Sequence, residues 1–291
     1  MIDLLLSIIL TTYLVLCFRY YERFRISNFH AIVFNYWTCV ATGMLVAPQG
    51  RPEEVWLHQA WFPIAAVLGL LFFVIFNIMG YVARHISTTL TSLASKLSLV
   101  IPVSIAMIFF GEGINALKAI SLLLAVIAVV LYSWDTEAAG SFSWTHAIFP
   151  ALVIFLGSGA NDTLVNYAVQ RCLTSDELHD FSIAVFLSAS VWGAVALLAH
   201  MLWRRRLPPG RSLLAGLLLG VPNYFSLYFL TRALGGPMLP SSSVIIINNV
   251  GIVVLTALAA AILFRERFGR IKQMGMFAAL MAMVLLYVAK Q

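Results

Sequence analysis

Phe110-Gly111-Glu112-Gly113-Ile114 runs on to Lys118, and Phe264-Arg265-Glu266-Arg267-Phe268 runs on to Lys272. Phe, Glu and Lys recur at one offset, the 154 residues from Glu112 to Glu266, and each copy lies between two long apolar runs. An earlier pair keeps nearly the same register: Phe29-x-x-x-Val33-Phe34 against Phe181-x-x-x-Val185-Phe186, 152 residues apart. The second half of the chain therefore repeats the first. Duplication inside an apolar chain is how many secondary transporters are built, with the binding site at the repeat interface.

Composition decides the solvent. Of 291 residues, 62% are hydrophobic and 10% charged, and the mean hydropathy is +0.94. Soluble domains carry roughly 25% charged residues, so lipid surrounds most of this chain. The apolar runs are continuous rather than alternating, which favours helices over an outer-membrane barrel. Ten spans can be marked: 2–18, 29–47, 62–83, 88–110, 114–134, 146–169, 180–203, 212–231, 239–263 and 268–289. The expected fold is thus all-α, a polytopic membrane protein of ten transmembrane helices. The loops between them are short and leave no room for a soluble catalytic domain. Five spans fall in each copy, residues 1–140 and 141–291, forming one integral-membrane unit. An odd number of crossings makes the second copy enter from the opposite face, so the two five-helix repeats are inverted by counting alone.

The first span lacks a basic segment before it and a small-x-small cleavage site after it, and reads as a retained helix rather than a signal peptide. Cys17, Cys39 and Cys172 show neither paired spacing nor a metal pattern and read as packing residues. Histidines 30, 85, 146, 179 and 200 lie near span ends, with no H-x-x-H or His/carboxylate cluster, and read as interfacial; no metal is expected. The net charge of +6 does not point to nucleic acid, because the basic residues sit at span ends without stacking aromatics. Headgroup contact and topology explain them better. Twelve of the eighteen Lys and Arg residues fall in the odd-numbered loops, among them Arg204, Arg205, Arg206 and Arg211 in loop seven. Positive-inside then puts the odd loops in the cytoplasm and both termini outside.

The repeats differ in one place. Arg84 to Glu112 is 28 residues, whereas Arg232 to Glu266 is 34, the surplus being Gly235-Gly236-Pro237-Met238-Leu239-Pro240 before span nine. Such a Gly/Pro run breaks a helix, as a connecting turn or as a hinge.

With ten short-looped spans and an apolar-Gly-Glu-x-Ile/Phe turn before the last helix of each half, the chain resembles the drug/metabolite transporter superfamily, in particular its EamA-like branch. The likeness is carried by Ser87 to Trp134, including Thr88-Thr89-Leu90-Thr91-Ser92-Leu93, Pro102 and Phe110-Gly111-Glu112, and by Ser241 to Val288, including Phe264-Arg265-Glu266. Two departures are Asn248-Asn249 and the absence of a proline matching Pro102 in span nine. The resemblance implies a ten-helix carrier, favours export, and implies cytoplasmic termini, opposite to the charge count.

Glu112 and Glu266 sit between helices, where a carboxylate can accept from the free N–H groups opening the next helix; they read as structural turn residues. The polar residues inside spans are different, because a charge at membrane depth costs roughly 2.5–3.5 kcal/mol on insertion scales. Lys96 lies in span four, flanked by Ser92, Ser95 and Ser98; Asp162 lies midway through span six, with Asn166 on the same helical face. They can form a buried ion pair joining the halves, or a substrate and coupling site facing a central cavity. Asn77 and Asn223 occupy nearly equivalent repeat positions, and Ser95 matches Asn249 at the 154-residue offset, next to Asn248. Together these side chains outline one polar core between the halves, and Gly157 and Gly159 would let helices approach closely there.

A secondary transporter explains the duplication, the short loops and the mid-membrane polar groups together. No catalytic constellation marks an enzyme, and no P-loop marks an ATP-driven pump; no cofactor is expected. The expected cargo is a small polar metabolite, amino-acid-like or related, moved by alternating access across a bacterial inner membrane. Lipid is the surrounding partner, protons are the candidate coupling ion, and a homodimer stays open. The alternative is a structural or receptor-like helical membrane protein without transport.

Overall fold

The expected apolar stretches fall on helices over their described residues in the computed structural model, which describes residues 1–24, 26–47, 53–86, 88–109, 116–132, 144–204, 209–264 and 269–288. In chain order the helices are α1 (Ile2–Arg23), α2 (Asn28–Val46), α3 (Phe62–His85), α4 (Thr88–Leu97), α5 (Val100–Phe109), α6 (Ala116–Tyr132), α7 (Trp144–Arg171), α8 (Leu178–Arg204), α9 (Gly210–Gly235), α10 (Ser241–Phe264) and α11 (Arg270–Val288). Every regular element among the described residues is helical, so the expected all-α class holds. Glu112, Glu266 and the boundary between residues 140 and 141 lie outside the described residues.

The helix ends follow local chemistry. Pro63 sits in the first turn of α3, where its missing N–H costs nothing. Pro209 caps α9, and Pro240 precedes α10. A one-turn 3-10 helix, Ser175–Glu177, leads into α8, and Glu177 Oε2 accepts from both the Thr174 N–H (2.9 Å) and the Thr174 hydroxyl (2.8 Å). Gly235 to Pro240, the surplus of the second half, forms the turn that joins α9 to α10.

The expected span 88–110 is not one helix. Pro102 has no N–H to donate to the Ser98 carbonyl, four residues back, so that carbonyl accepts from Ile101 N–H at 3.0 Å and the helix breaks at Ser98-Leu99. The matching α10 has no proline and runs unbroken from Ser241 to Phe264.

This is a multi-pass membrane protein. Among the described residues, seven stretches are long and apolar enough to cross a bilayer: Asn28–Val46, Phe62–Ala83, Thr91–Phe109 across the break, Ile148–Arg171, Ser175–Trp203, Gly210–Gly235 and Ser241–Leu263. Ile2–Phe18 and Ala116–Leu131 are shorter apolar helices. Large side chains such as Leu202, Trp203, Ile262 and Phe277 remain exposed on the outer faces, as lipid contact requires.

The most extensive packing among the described residues joins α6 to α11, α2 to α9 and α8, α3 to α8, and α1 to α9. Small residues make these approaches possible. A Cβ at Gly216 of α9 would come within 2.8 Å of the Ala31 carbonyl oxygen on α2, and one at Gly220 within 2.7 Å of the Asn35 carbonyl oxygen. On the matching pair, a Cβ at Gly69 of α3 would meet the Val185 carbonyl of α8 at 2.5 Å. In lipid, where no hydrophobic effect drives helices together, such backbone proximity supplies the dispersion that does. The buried aromatic residues Tyr36, Trp61, Phe181, Phe186 and Tyr224 fill the centre of the same core.

Candidate functional site

Lys96 lies in the last turn of α4, just before the break at Ser98-Leu99. Its Nζ donates to Asn249 Oδ1 of α10 at 3.4 Å. Asn249 Nδ2 donates to its own helix at Ile245 O (3.2 Å), and its side chain lies beside the Asp162 carboxylate of α7, both lining one small cavity. Lys96 and Asp162 are within electrostatic reach but do not form a direct ion pair; Asn249 stands between them. Three helices thus meet at one polar contact. Both charged side chains are largely buried, and Asn249 between them is buried too.

The neighbours complete the cluster. Asn248 Oδ1 accepts from the buried Ser7 hydroxyl of α1 (3.3 Å), which is also 3.1 Å from Ser226 O of α9. Asn166 Nδ2 donates to Ser241 Oγ at the start of α10 (3.1 Å), and its buried Oδ1 has no partner. Ser95 Oγ accepts from Ser158 Oγ at 3.5 Å, tying α4 to α7. A cavity of about 20 Å³ adjoins Asp162, Asn248 and Asn249, with Leu230, Leu234 and Ile245 as its apolar walls. It has room for on the order of one water molecule.

Gly157 and Gly159 do allow close approach, each facing an isoleucine: Ile75 of α3 and Ile101 of α5. The two amides at equivalent repeat positions part company. Asn223 Nδ2 donates to Asn35 Oδ1 across the α9–α2 contact at 3.2 Å, close to the Cys39 thiol. Asn77 instead donates to its own helix at Phe73 O (2.7 Å) and lines a separate groove of about 370 Å³ between α3 and α7, beside Tyr81 and Phe149. The structure therefore gathers Lys96, Asp162, Asn248, Asn249, Asn166 and Ser95, sets Asn223 of α9 against Asn35 of α2, and leaves Asn77 outside.

Sequence reading missed Ser7 and Ser241, hydroxyls of a type that an apolar helix carries in many places. It also missed a chain at the mouth of α8 and α9. His179 Nδ1 lies 2.8 Å from Tyr224 Oη, and its ring stacks on Tyr228 at 3.9 Å. Arg232 reaches over Tyr228 and pairs with Asp3 of α1 at 3.7 Å. His30 and His200 face each other across α2 and α8, ring centres 5.4 Å apart. The repeat register brings neither pairing to notice, because each joins helix ends far apart in the chain.

Asn223→Leu should cost about 1–3 kcal/mol, because the buried Asn35 oxygen loses its amide donor. A lowered unfolding midpoint in mixed micelles checks this, and an unchanged midpoint would show that water or Cys39 takes over.

No family model matches the chain. An uncharacterized protein of Haemophilus influenzae is 26% identical over 266 residues, covering 88% of this chain and 87% of its own. A solved crystal structure, described only as that of a protein, superposes with a TM-score of 0.72 at 14% identity over 99% of this chain and 96% of that one. That likeness speaks for the fold alone.

Proposed function

We propose that this chain is a secondary transporter of the EamA-like branch of the drug/metabolite transporter superfamily, with ten spans in two inverted five-helix halves. Its cargo is a small polar metabolite, amino-acid-like or related, exported across a bacterial cytoplasmic membrane by alternating access. The observation that carries this reading is the Lys96–Asn249–Asp162 contact. Two opposite charges from different halves meet there at membrane depth, where retaining them asks for a function.

The packing supports the duplicated architecture. If α1, α2, α3, α4 with α5, and α6 are exchanged for α7, α8, α9, α10 and α11, the principal contacts map onto one another. α2 on α9 becomes α8 on α3; α1 on α9 becomes α7 on α3; α1 on α10 becomes α7 on α4 and α5. α2 on α8 and α6 on α11 map onto themselves. The glycine contacts obey the same exchange, Gly69 on α8 against Gly216 and Gly220 on α2.

Purified protein in liposomes loaded with an unlabelled amino-acid mixture should accumulate individual radiolabelled amino acids by counterflow. A trapped pH dye should report proton movement with the flux. Counterflow indistinguishable from empty liposomes, across amino acids and other small polar metabolites, would favour the structural or receptor-like alternative.

A further inference from the structure

Asn77 stands outside the charged contact, and the surface around it has a shape of its own. α3 and α7 touch where Gly157 meets Ile75, so closely that a Cβ on the glycine would fall on the isoleucine side chain. From that crossing the two helices part toward their odd-loop ends, as packed helices do on either side of a contact. Ile78 and Val82 on α3 and Phe149 and Val153 on α7 wall the groove of about 370 Å³ that results. Behind it, Val82 and Ile154 close on Ala94 of α4 in a buried apolar cluster, so the groove opens sideways and not inward. Its mouth lies among outward-facing side chains, Tyr81 and Phe149, on stretches long and apolar enough to cross a bilayer. Asn77 to Val82 lie about 4–12 Å short of the odd-loop end of α3 at about 1.5 Å per residue. That is within the roughly 15 Å that the hydrocarbon of one leaflet occupies.

We infer that this groove seats one acyl chain of a bilayer phospholipid. Hydrocarbon is the medium at that depth, and a charged headgroup placed there would lose its water to apolar walls. The groove has room for on the order of ten groups the size of a water molecule, and a methylene is about that size. Left empty, it would cost both walls their dispersion contacts. The tail gains no hydrophobic transfer energy, because it leaves hydrocarbon for hydrocarbon. What holds it is contact with a floor and two walls in place of fluctuating neighbours. The result is enrichment over the rest of the lipid-facing surface, with exchange still possible. Asn77 is compatible with this occupant, because its Nδ2 donates back to Phe73 O at 2.7 Å and so serves its own helix. The seat requires only a bilayer and is independent of the transport reading.

The test uses the full chain in vesicles of phosphatidylethanolamine and phosphatidylglycerol, with a trace of phospholipid carrying a diazirine midway along one acyl chain. Photolysis is followed by peptide mass spectrometry. Labelling of Ile78 and Val153, which are only partly exposed, should exceed that of Met274 and Phe277 at least fivefold. Those two sit within two turns of the start of α11 and are 60% and 67% exposed, so simple access would favour them instead. Val153→Trp fills the groove from α7 and Ile78→Trp from α3; each should bring the facing wall down to the α11 level. Leu156→Trp, at an exposed position on α7 outside the groove, should leave labelling unchanged. Equal labelling of groove and α11 in the parent, or labelling that neither filling lowers in monodisperse protein, overturns the seat. If neither filled variant is monodisperse, the parental comparison decides alone. Asn77→Leu should hold or raise the labelling; a fall to the α11 level overturns the acyl chain as occupant, in favour of a guest held by the amide.

Discussion

Lys96→Met alone is expected to lower stability by about 1–3 kcal/mol, because it leaves the Asn249 side-chain oxygen without its donor and removes the cation that acts on the Asp162 carboxylate. Asn249 can still turn its amide to that carboxylate, but an amide cannot neutralise a charge. Removing both charges at once, as Lys96→Met with Asp162→Leu, removes the unpaired group and should bring the unfolding midpoint back near that of the parent. Stability and transport then separate. If the two charges serve only to join helices, the double variant carries amino acids in counterflow at the parental rate. If they form the transport site, it folds and gives no flux, and Asp162→Asn alone uncouples whatever flux remains from the proton gradient. A Lys96→Met protein as stable as the parent would show that Asn249 and solvent suffice for Asp162. Full flux in the double variant would end the functional reading of this contact.

Gly220→Leu should abolish a folded, monodisperse protein, an effect beyond about 3 kcal/mol. The new Cβ would stand 2.7 Å from the Asn35 carbonyl and against the Thr38 side chain, and backbone cannot yield as a flexible side chain does. The α2–α9 contact would have to open, taking with it the Asn223–Asn35 amide pair and the Cys39 thiol's hydrogen bond to the Gly220 carbonyl at 3.2 Å. Gly210→Ala is the control. It lies at the start of the same helix with nothing within 4 Å of the added carbon, so its effect should stay within about 0.5 kcal/mol. Size-exclusion profiles of the two variants decide the matter. A monodisperse Gly220→Leu protein would mean that α2 and α9 can slide apart without loss.

Much of the bundle was legible because lipid imposes a simple rule. Every backbone group must be satisfied within the segment, so a continuous apolar run has little choice but helix. The stretches read as 29–47 and 180–203 differ from α2 and α8 by only a few residues at either end. The break in span four was written in Pro102, yet reading its length as one span hid the consequence, since a proline tells of a lost bond but not of whether the helix bends or parts. The polar core was legible in part for a similar reason. A Lys and an Asp inside apolar runs stand out by cost, and Ser95 opposite Asn249 by register. That Asn249 would come to lie between the two charges depends on how α4, α7 and α10 are turned, which no spacing along one helix encodes. Asn77 shows the converse: equivalent to Asn223 by register, it faces a lateral groove, because α3 presents it toward α7 while α9 presents Asn223 toward α2.

By itself, then, the sequence determined that the chain is helical and apolar enough to live in lipid, and which few residues bear charge where charge is costly. Hydropathy and periodicity act locally and survive any arrangement of the helices. The tertiary structure alone decided which side chains meet: Lys96 with Asp162 through Asn249, Ser7 with Asn248, and Asn166 with Ser241. Such meetings depend on how neighbouring helices are turned and tilted against one another, which no spacing along a single helix encodes.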